Sequence, residues 1–126
     1  MKFKKFAVLP FRANAYIVYK EKEGFIIDPG GSIKKLQSEA DALNIKIKAV
    51  LLTHGHFDHC GAAYYFQKLG AKVYIHRNDA EKIKSAKGSL AENFGLPYTP
   101  VVADVLLDDG DELNIADYNI KVIHTP

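Results

Sequence analysis

The sequence predicts an α/β fold, a mixed sheet with its helices packed outside it. Three observations carry that expectation. The segment from Leu51 to His76 reads as strand, helix and strand, so its two strands should run parallel. Asn14–Tyr19 and Phe25–Asp28 flank the polar turn Lys20-Glu21-Lys22-Glu23-Gly24 and read as a hairpin, the antiparallel part of the sheet. Between them Ile33, Leu36, Ala40 and Leu43 recur near the helical period and form one apolar stripe.

In chain order, Phe3–Leu9 is the first strand, ended by Pro10. The hairpin follows, and Asp28-Pro29-Gly30-Gly31 stops its second strand, with glycines for conformations that other residues resist. Ser32 is placed to cap a helix running to about Leu43, and Asn44 suits its C-terminal turn. Ile45–Leu52 is an apolar strand, and about Gly61 to Leu69 is a helix closed by Gly70. Lys72–His76 is the next strand, and Asn78 caps a short helix to about Ala86. Lys87–Pro100 reads as a loop with one helical turn around Leu90–Phe94, long enough to be a flap on the substrate side. Val101–Leu107 is extended, Asp108-Asp109-Gly110-Asp111 turns, and Glu112–Ile115 pairs with Tyr118–Ile123 in a closing hairpin.

Composition narrows the class of protein. A chain of 126 residues fits a single domain, for which about 100–200 residues are usual. With 48% hydrophobic and 25% charged residues it reads as a soluble globular protein. A net charge of +2 gives no argument for nucleic acid, and its lysines read as solvation of helix faces. No apolar run approaches the 18 or so residues of a membrane span. Met1-Lys2-Phe3-Lys4-Lys5 is followed by neither an apolar core nor a small-residue cleavage site, so no signal peptide is expected. The single cysteine excludes an internal disulfide and suits a cytoplasmic location.

The chemistry gathers behind the strand that ends at Leu52. Within Thr53-His54-Gly55-His56-Phe57-Asp58-His59 stand three of the five histidines and one carboxylate. Imidazole and carboxylate are ligands for zinc, iron or manganese, and core packing does not explain such spacing. If the chain stays extended through Thr53–His56, His54 and His56 point to the same side and grip one metal. Asp58 and His59 then stand at the helix entry to hold a second ion, about 3.5–4 Å away in two-metal hydrolytic sites. Asp28 ends a neighbouring strand and reads either as the residue that holds a ligand in place or as the turn-former of Asp-Pro-Gly-Gly. Thr53 supports the loop or simply ends the strand. His76 reads as a polar strand-end residue, and Cys60 as small-residue packing in place of a nucleophile.

These residues carry a family resemblance. Thr53–His59 resembles the signature loop of the metallo-β-lactamase superfamily, nearest to small hydrolases related to hydroxyacylglutathione hydrolase (glyoxalase II). Asn14-Ala15-Tyr16-Ile17-Val18, Ile26-Ile27-Asp28-Pro29-Gly30-Gly31 and Val122-Ile123-His124-Thr125-Pro126 follow in the family's order. The resemblance implies the N-terminal half of an αββα sandwich, so the domain spanning residues 1–126 is expected to lack its C-terminal half. It also implies two zinc ions, with iron or manganese as alternatives. His54 and His56 would bind one ion and Asp58 with His59 the other. Asp58 would serve catalysis by accepting a hydrogen bond from the attacking water. The implied substrate is a small acyl or thioester compound. An iron-dependent persulfide dioxygenase and a metal-binding module without turnover are the rival readings. In the family pattern the next ligand histidine follows a Thr-Pro-Gly that Thr125-Pro126 would begin, which makes His124 a neighbour and not a ligand. An inner face including Ile17, Ile27, Leu51 and Val73 would then lack a partner, so self-association and little hydrolysis are expected of this chain alone.

Overall fold

A computed structural model of the chain describes residues 2–123. Six strands form one mixed sheet in sequence order: β1 (Lys2–Val8), β2 (Ala13–Lys20), β3 (Glu23–Ile27), β4 (Lys46–Leu52), β5 (Lys72–His76) and β6 (Val105–Leu107). The first three pair antiparallel through short turns, and β3 to β6 pair parallel. The change of direction follows from connection length. A tight turn reverses the chain, whereas helix α1 (Ile33–Ala42) carries it back from the end of β3 to the start of β4. The carboxyl ends of β3, β4 and β5 consequently share one edge of the sheet, where open α/β sheets bind ligands.

Register sorts the apolar residues onto two faces. Ile17 pairs with Ile26, Ile26 with Val50, and Val50 with Val73. This row lies on the helix side, fully buried with Leu36 and Phe66. Burying each such side chain is worth about 1.5–3 kcal/mol. The alternate row, Ile27–Leu51–Tyr74, faces the other way with Val18, Phe25 and Ala49. It is met by Leu113, Ile115, Tyr118 and Ile120 of the separate hairpin β7 (Glu112–Ile115) and β8 (Tyr118–Lys121). The expected inner face is thus corrected. Ile17 and Val73 are already sealed under the helices, because alternate residues of a strand face opposite ways. Only Ile27 and Leu51 lie on the second face, and the hairpin packs against them.

Several local expectations also change. The helix expected from Gly61 begins earlier and breaks, giving α2 (Phe57–Cys60) and α3 (Ala63–Lys68). The break lies where Gly61 presses on the Gly30 carbonyl and the Ala62 N–H donates to Pro29 O at 2.8 Å. Ser32 precedes α1, but its hydroxyl accepts from the Leu9 N–H at 3.0 Å and leaves the helix uncapped. The short helix expected after Asn78 is two 3₁₀ turns, Arg77–Asp79 and Lys82–Lys84, and His76 caps the first by accepting from the Asn78 N–H. Only Val105–Leu107 of the expected strand from Val101 pairs with the sheet. Among the described residues, no helix is long and apolar enough to cross a membrane.

The glycines of Asp28-Pro29-Gly30-Gly31 serve close approach. Left-handed φ values fall instead on their neighbours Asp28 (54°) and Ser32 (53°). A Cβ on Gly30 would overlap the Asp58 carbonyl, so this turn is the surface on which α2 rests. Gly30→Ala is therefore expected to lower unfolding free energy by about 1–3 kcal/mol, the usual cost of overpacking. Urea denaturation at constant m-value checks it.

Candidate metal centre

Asp28 stands at the end of β3, 5% exposed. Its Oδ1 accepts from the Thr53 N–H at 2.8 Å, and its Oδ2 accepts from the Thr53 hydroxyl. The same Oδ2 lies 3.0 Å from His59 Nδ1. A carboxylate accepts, so the shared proton belongs to His59 Nδ1 and the ring keeps its lone pair on Nε2. That nitrogen faces Asp58, with Oδ2 3.5 Å away. One buried carboxylate thus ties the end of β4 to helix α2 and selects the imidazole tautomer.

The other two histidines close on the same point. The His54 ring centroid lies 4.0 Å from that of His59 and 4.8 Å from that of His56. The His56 N–H reaches His54 Nδ1 at 3.3 Å, a long hydrogen bond. Burial, then the neighbouring His59, lower the pKa of His54 from 6.5. Its ring therefore favours the neutral form that ligates metal. The loop is a turn and not an extension of β4, so the expected two-residue alternation is absent and the turn itself brings the rings together.

The segment after β5 grips this turn from outside. The Gly55 N–H donates to Asp79 Oδ2 at 3.0 Å, and Lys82 Nζ holds Asp79 Oδ1 at 3.2 Å. Burial opposes the charge on Asp79, but Lys82 and the Gly55 N–H prevail and hold its pKa below the usual carboxylate value. The Phe57 N–H donates to the Ser89 carbonyl at 2.9 Å. Cys60 is buried and its Sγ lies 3.6 Å from Gly55 O and 3.5 Å from the Tyr98 hydroxyl. Burial pushes this thiol up to about 11, so at neutral pH it is an inert packing group. The Tyr98 hydroxyl donates to Ile83 O at 2.6 Å. On the flank, Phe57 forms an edge-packed trio with half-exposed Phe11 and Phe94, at centroid separations of 5.0–5.4 Å.

A cleft of about 570 Å³ opens beside His54, lined also by Thr53, His76, Asp79, Lys82, Leu113 and Ile120. The structure thus gathers Asp28, Thr53, His54, His56, Asp58 and His59 at one sheet edge. His76 lies on the cleft wall, while His124 is outside the described residues. Asp79, Ser89 and Tyr98 had no local signal, since each meets the loop across 24 or more positions of sequence.

The donor types suit a divalent metal: a neutral imidazole, a second imidazole with its tautomer fixed by a carboxylate, a third beside them, and an acidic oxygen. As it stands the cluster is open, and no group of three or more His, Cys, Asp or Glu side chains among the described residues is set to hold an ion.

Residues 8–126 match the metallo-beta-lactamase superfamily. The chain belongs to that superfamily. It is 32% identical to a hydroxyacylglutathione hydrolase, GloC, of Haemophilus influenzae, over 94% of this chain and 58% of that protein. The crystal structure of BLEG-1 B3 metallo-beta-lactamase superposes with a TM-score of 0.90 at 32% identity, covering 99% of this chain and 62% of that one. TTHA1623, solved in a di-iron-bound form, has a TM-score of 0.75 at 31% identity, over 87% of this chain and 56% of that one. The chain thus spans between about two-fifths and three-fifths of the length of the curated relatives it matches. As a superfamily member it carries the α/β fold expected from sequence, a mixed sheet with outer helices.

His54 is expected to titrate below 6.5 in the metal-free protein, and ring-proton NMR against pH checks this. The sign follows from linkage. A histidine with a depressed folded pKa contributes stability above about 6.5, the unfolded value, and that contribution fades as pH falls through the lower folded value.

Proposed function

We propose that this superfamily member is a metal-dependent hydrolase of a thioester or related acyl bond, with His54, His56, Asp58 and His59 as its metal ligands. The observation that carries the reading is the line Asp28–His59–Asp58. A buried carboxylate orients an imidazole so that its free nitrogen meets a second carboxylate, beside His54, which lines the cleft. Carboxylate–histidine pairs of this kind orient metal ligands generally, and their loss commonly costs about 10–100-fold in metal affinity or activity.

A pair of zinc ions held there would supply Lewis acidity, acidifying water and polarising a substrate carbonyl. The chain's own residues do the rest. His54 and His56 present their rings from one turn, with the backbone on either side of His54 fixed by bonds to Asp28 and Asp79. His59 is kept from rotating by Asp28, whose carboxylate Thr53 holds in turn. Asp58 offers a carboxylate oxygen that accepts a hydrogen bond from the attacking water and aligns it toward the cleft. The apolar wall of Leu113 and Ile120 excludes water from the acyl side.

The thioester choice is supported by the likeness to hydroxyacylglutathione hydrolase, and a cytoplasmic location agrees with the lone reduced cysteine. Likeness to a di-iron-bound protein keeps iron as an alternative metal, and the second reading is a mononuclear iron persulfide dioxygenase with one iron per chain. Elemental analysis of the purified protein, run beside thioester, lactone and β-lactam hydrolysis and oxygen uptake, separates the two. Zinc with thioester turnover supports the hydrolase, whereas iron with oxygen consumption replaces it. The panel is run on this chain and on a version extended to the length of its relatives, and metal binding without turnover in both supports a binding module.

Mutations sort the roles. In a version extended to the length of the relatives, His56→Ala is expected to lower metal content and hydrolysis together. In the same version Asp58→Ala is expected to empty or disorder one metal position and abolish turnover. Asp28→Ala should leave metal bound at about 10–100-fold lower affinity. Equal metal loss in the two aspartate variants, measured by elemental analysis at graded chelator concentrations, would reverse their assignment.

A further inference from the structure

Gly55 separates His54 from His56, and it sits against the segment that follows β5. A Cβ there would lie 2.6 Å from Lys82 Cβ and 3.1 Å from Asp79 O, closer than side chains pack, so the turn is pressed onto that segment. The β4 ladder ends at Leu52, and the peptide N–H groups beyond it need other partners. The Thr53 N–H finds Asp28 Oδ1 at 2.8 Å, the Gly55 N–H finds Asp79 Oδ2 at 3.0 Å, and the His56 N–H finds His54 Nδ1. His54 therefore hangs between two peptide groups, each pinned by a different carboxylate.

We propose that Asp79 is a positioning residue that fixes the His54–Gly55–His56 turn through the Gly55 N–H, as the counterpart of Asp28 on the other side of His54. Both of its oxygens are already engaged, one by Gly55 and one by Lys82, so it acts through the turn and not as a ligand. It reaches the turn because β4 and β5 are parallel neighbours, so the residues after His76 emerge beside those after Leu52. Lys82, one short turn later, holds the carboxylate in the orientation that meets Gly55. Removing the carboxylate frees the Gly55 peptide to rotate and lets the two imidazoles drift apart. The role rests on the metal-site reading above for its use, but the contact itself can be tested without metal.

The test compares the wild-type chain with Asp79→Ala, Asp79→Asn and the control Asp104→Ala. Asp104 makes a similar carboxylate bond to the Val73 N–H, at 2.8 Å, away from the cluster. Amide exchange is read by NMR without metal, and zinc affinity is then read by chelator competition. Asp79→Ala should lose protection at Gly55 and weaken zinc binding about 10–100-fold, the scale typical of residues that orient ligands. Asp79→Asn, whose amide oxygen still accepts from Gly55, should restore protection and most of the affinity. Asp104→Ala should reduce stability and leave both readouts unchanged. Wild-type protection at Gly55 in Asp79→Ala would overturn the proposal, as would equal loss of zinc in Asp104→Ala. If the wild-type chain takes up no zinc at all, the metal-site reading falls while Gly55 protection still decides the role of Asp79.

Discussion

The buried carboxylate of Asp28 is the interaction on which the site depends. It ends one parallel strand and accepts from the backbone and hydroxyl of Thr53, which ends the next, and from His59 on the helix beyond. Hydrogen bonds to a charged group are worth about 1.5–3 kcal/mol each, and a buried carboxylate without them is strongly unfavourable. The loop between β4 and α2 is thus not free to choose its path. Wherever it goes, it must deliver those donors to Asp28, and in doing so it presents His54, His56 and Asp58 outward.

Around this anchor the sheet supplies rigidity by topology. Three parallel strand ends lie side by side, so Asp28, the histidine turn and the 3₁₀ turn carrying Asp79 meet although more than fifty residues of sequence separate the first from the last. Glycines sit where two of these segments touch. Gly30 lies under the Asp58 carbonyl and Gly55 lies against Lys82. Each contact converts a loop position into a packed one.

The second face of the sheet gives the cleft its character. The β7–β8 hairpin turns through Ala116 and Asp117, both with positive φ, and folds Leu113 and Ile120 over Leu51 and Tyr74. His54, Asp79 and Lys82 therefore line the cleft together with Leu113 and Ile120.

Much of this was legible in the sequence. Local pattern determined the strands, the hairpin, the parallel β-α-β unit and the histidine cluster, because alternation, helical period and ligand spacing are properties of neighbouring residues. Tertiary structure decided the rest. Asp28 carried two readings until the fold set it against His59, and Ser32 looked like a helix cap until Leu9 claimed its hydroxyl. Ile17 and Val73 seemed alike with Ile27 and Leu51 until register assigned the pairs to opposite faces. Asp79, Ser89 and Tyr98 gave no sign at all of touching the histidine loop. Their contacts depend on which strand ends lie adjacent, and adjacency is fixed by the packing of the whole sheet, not by any short stretch of chain.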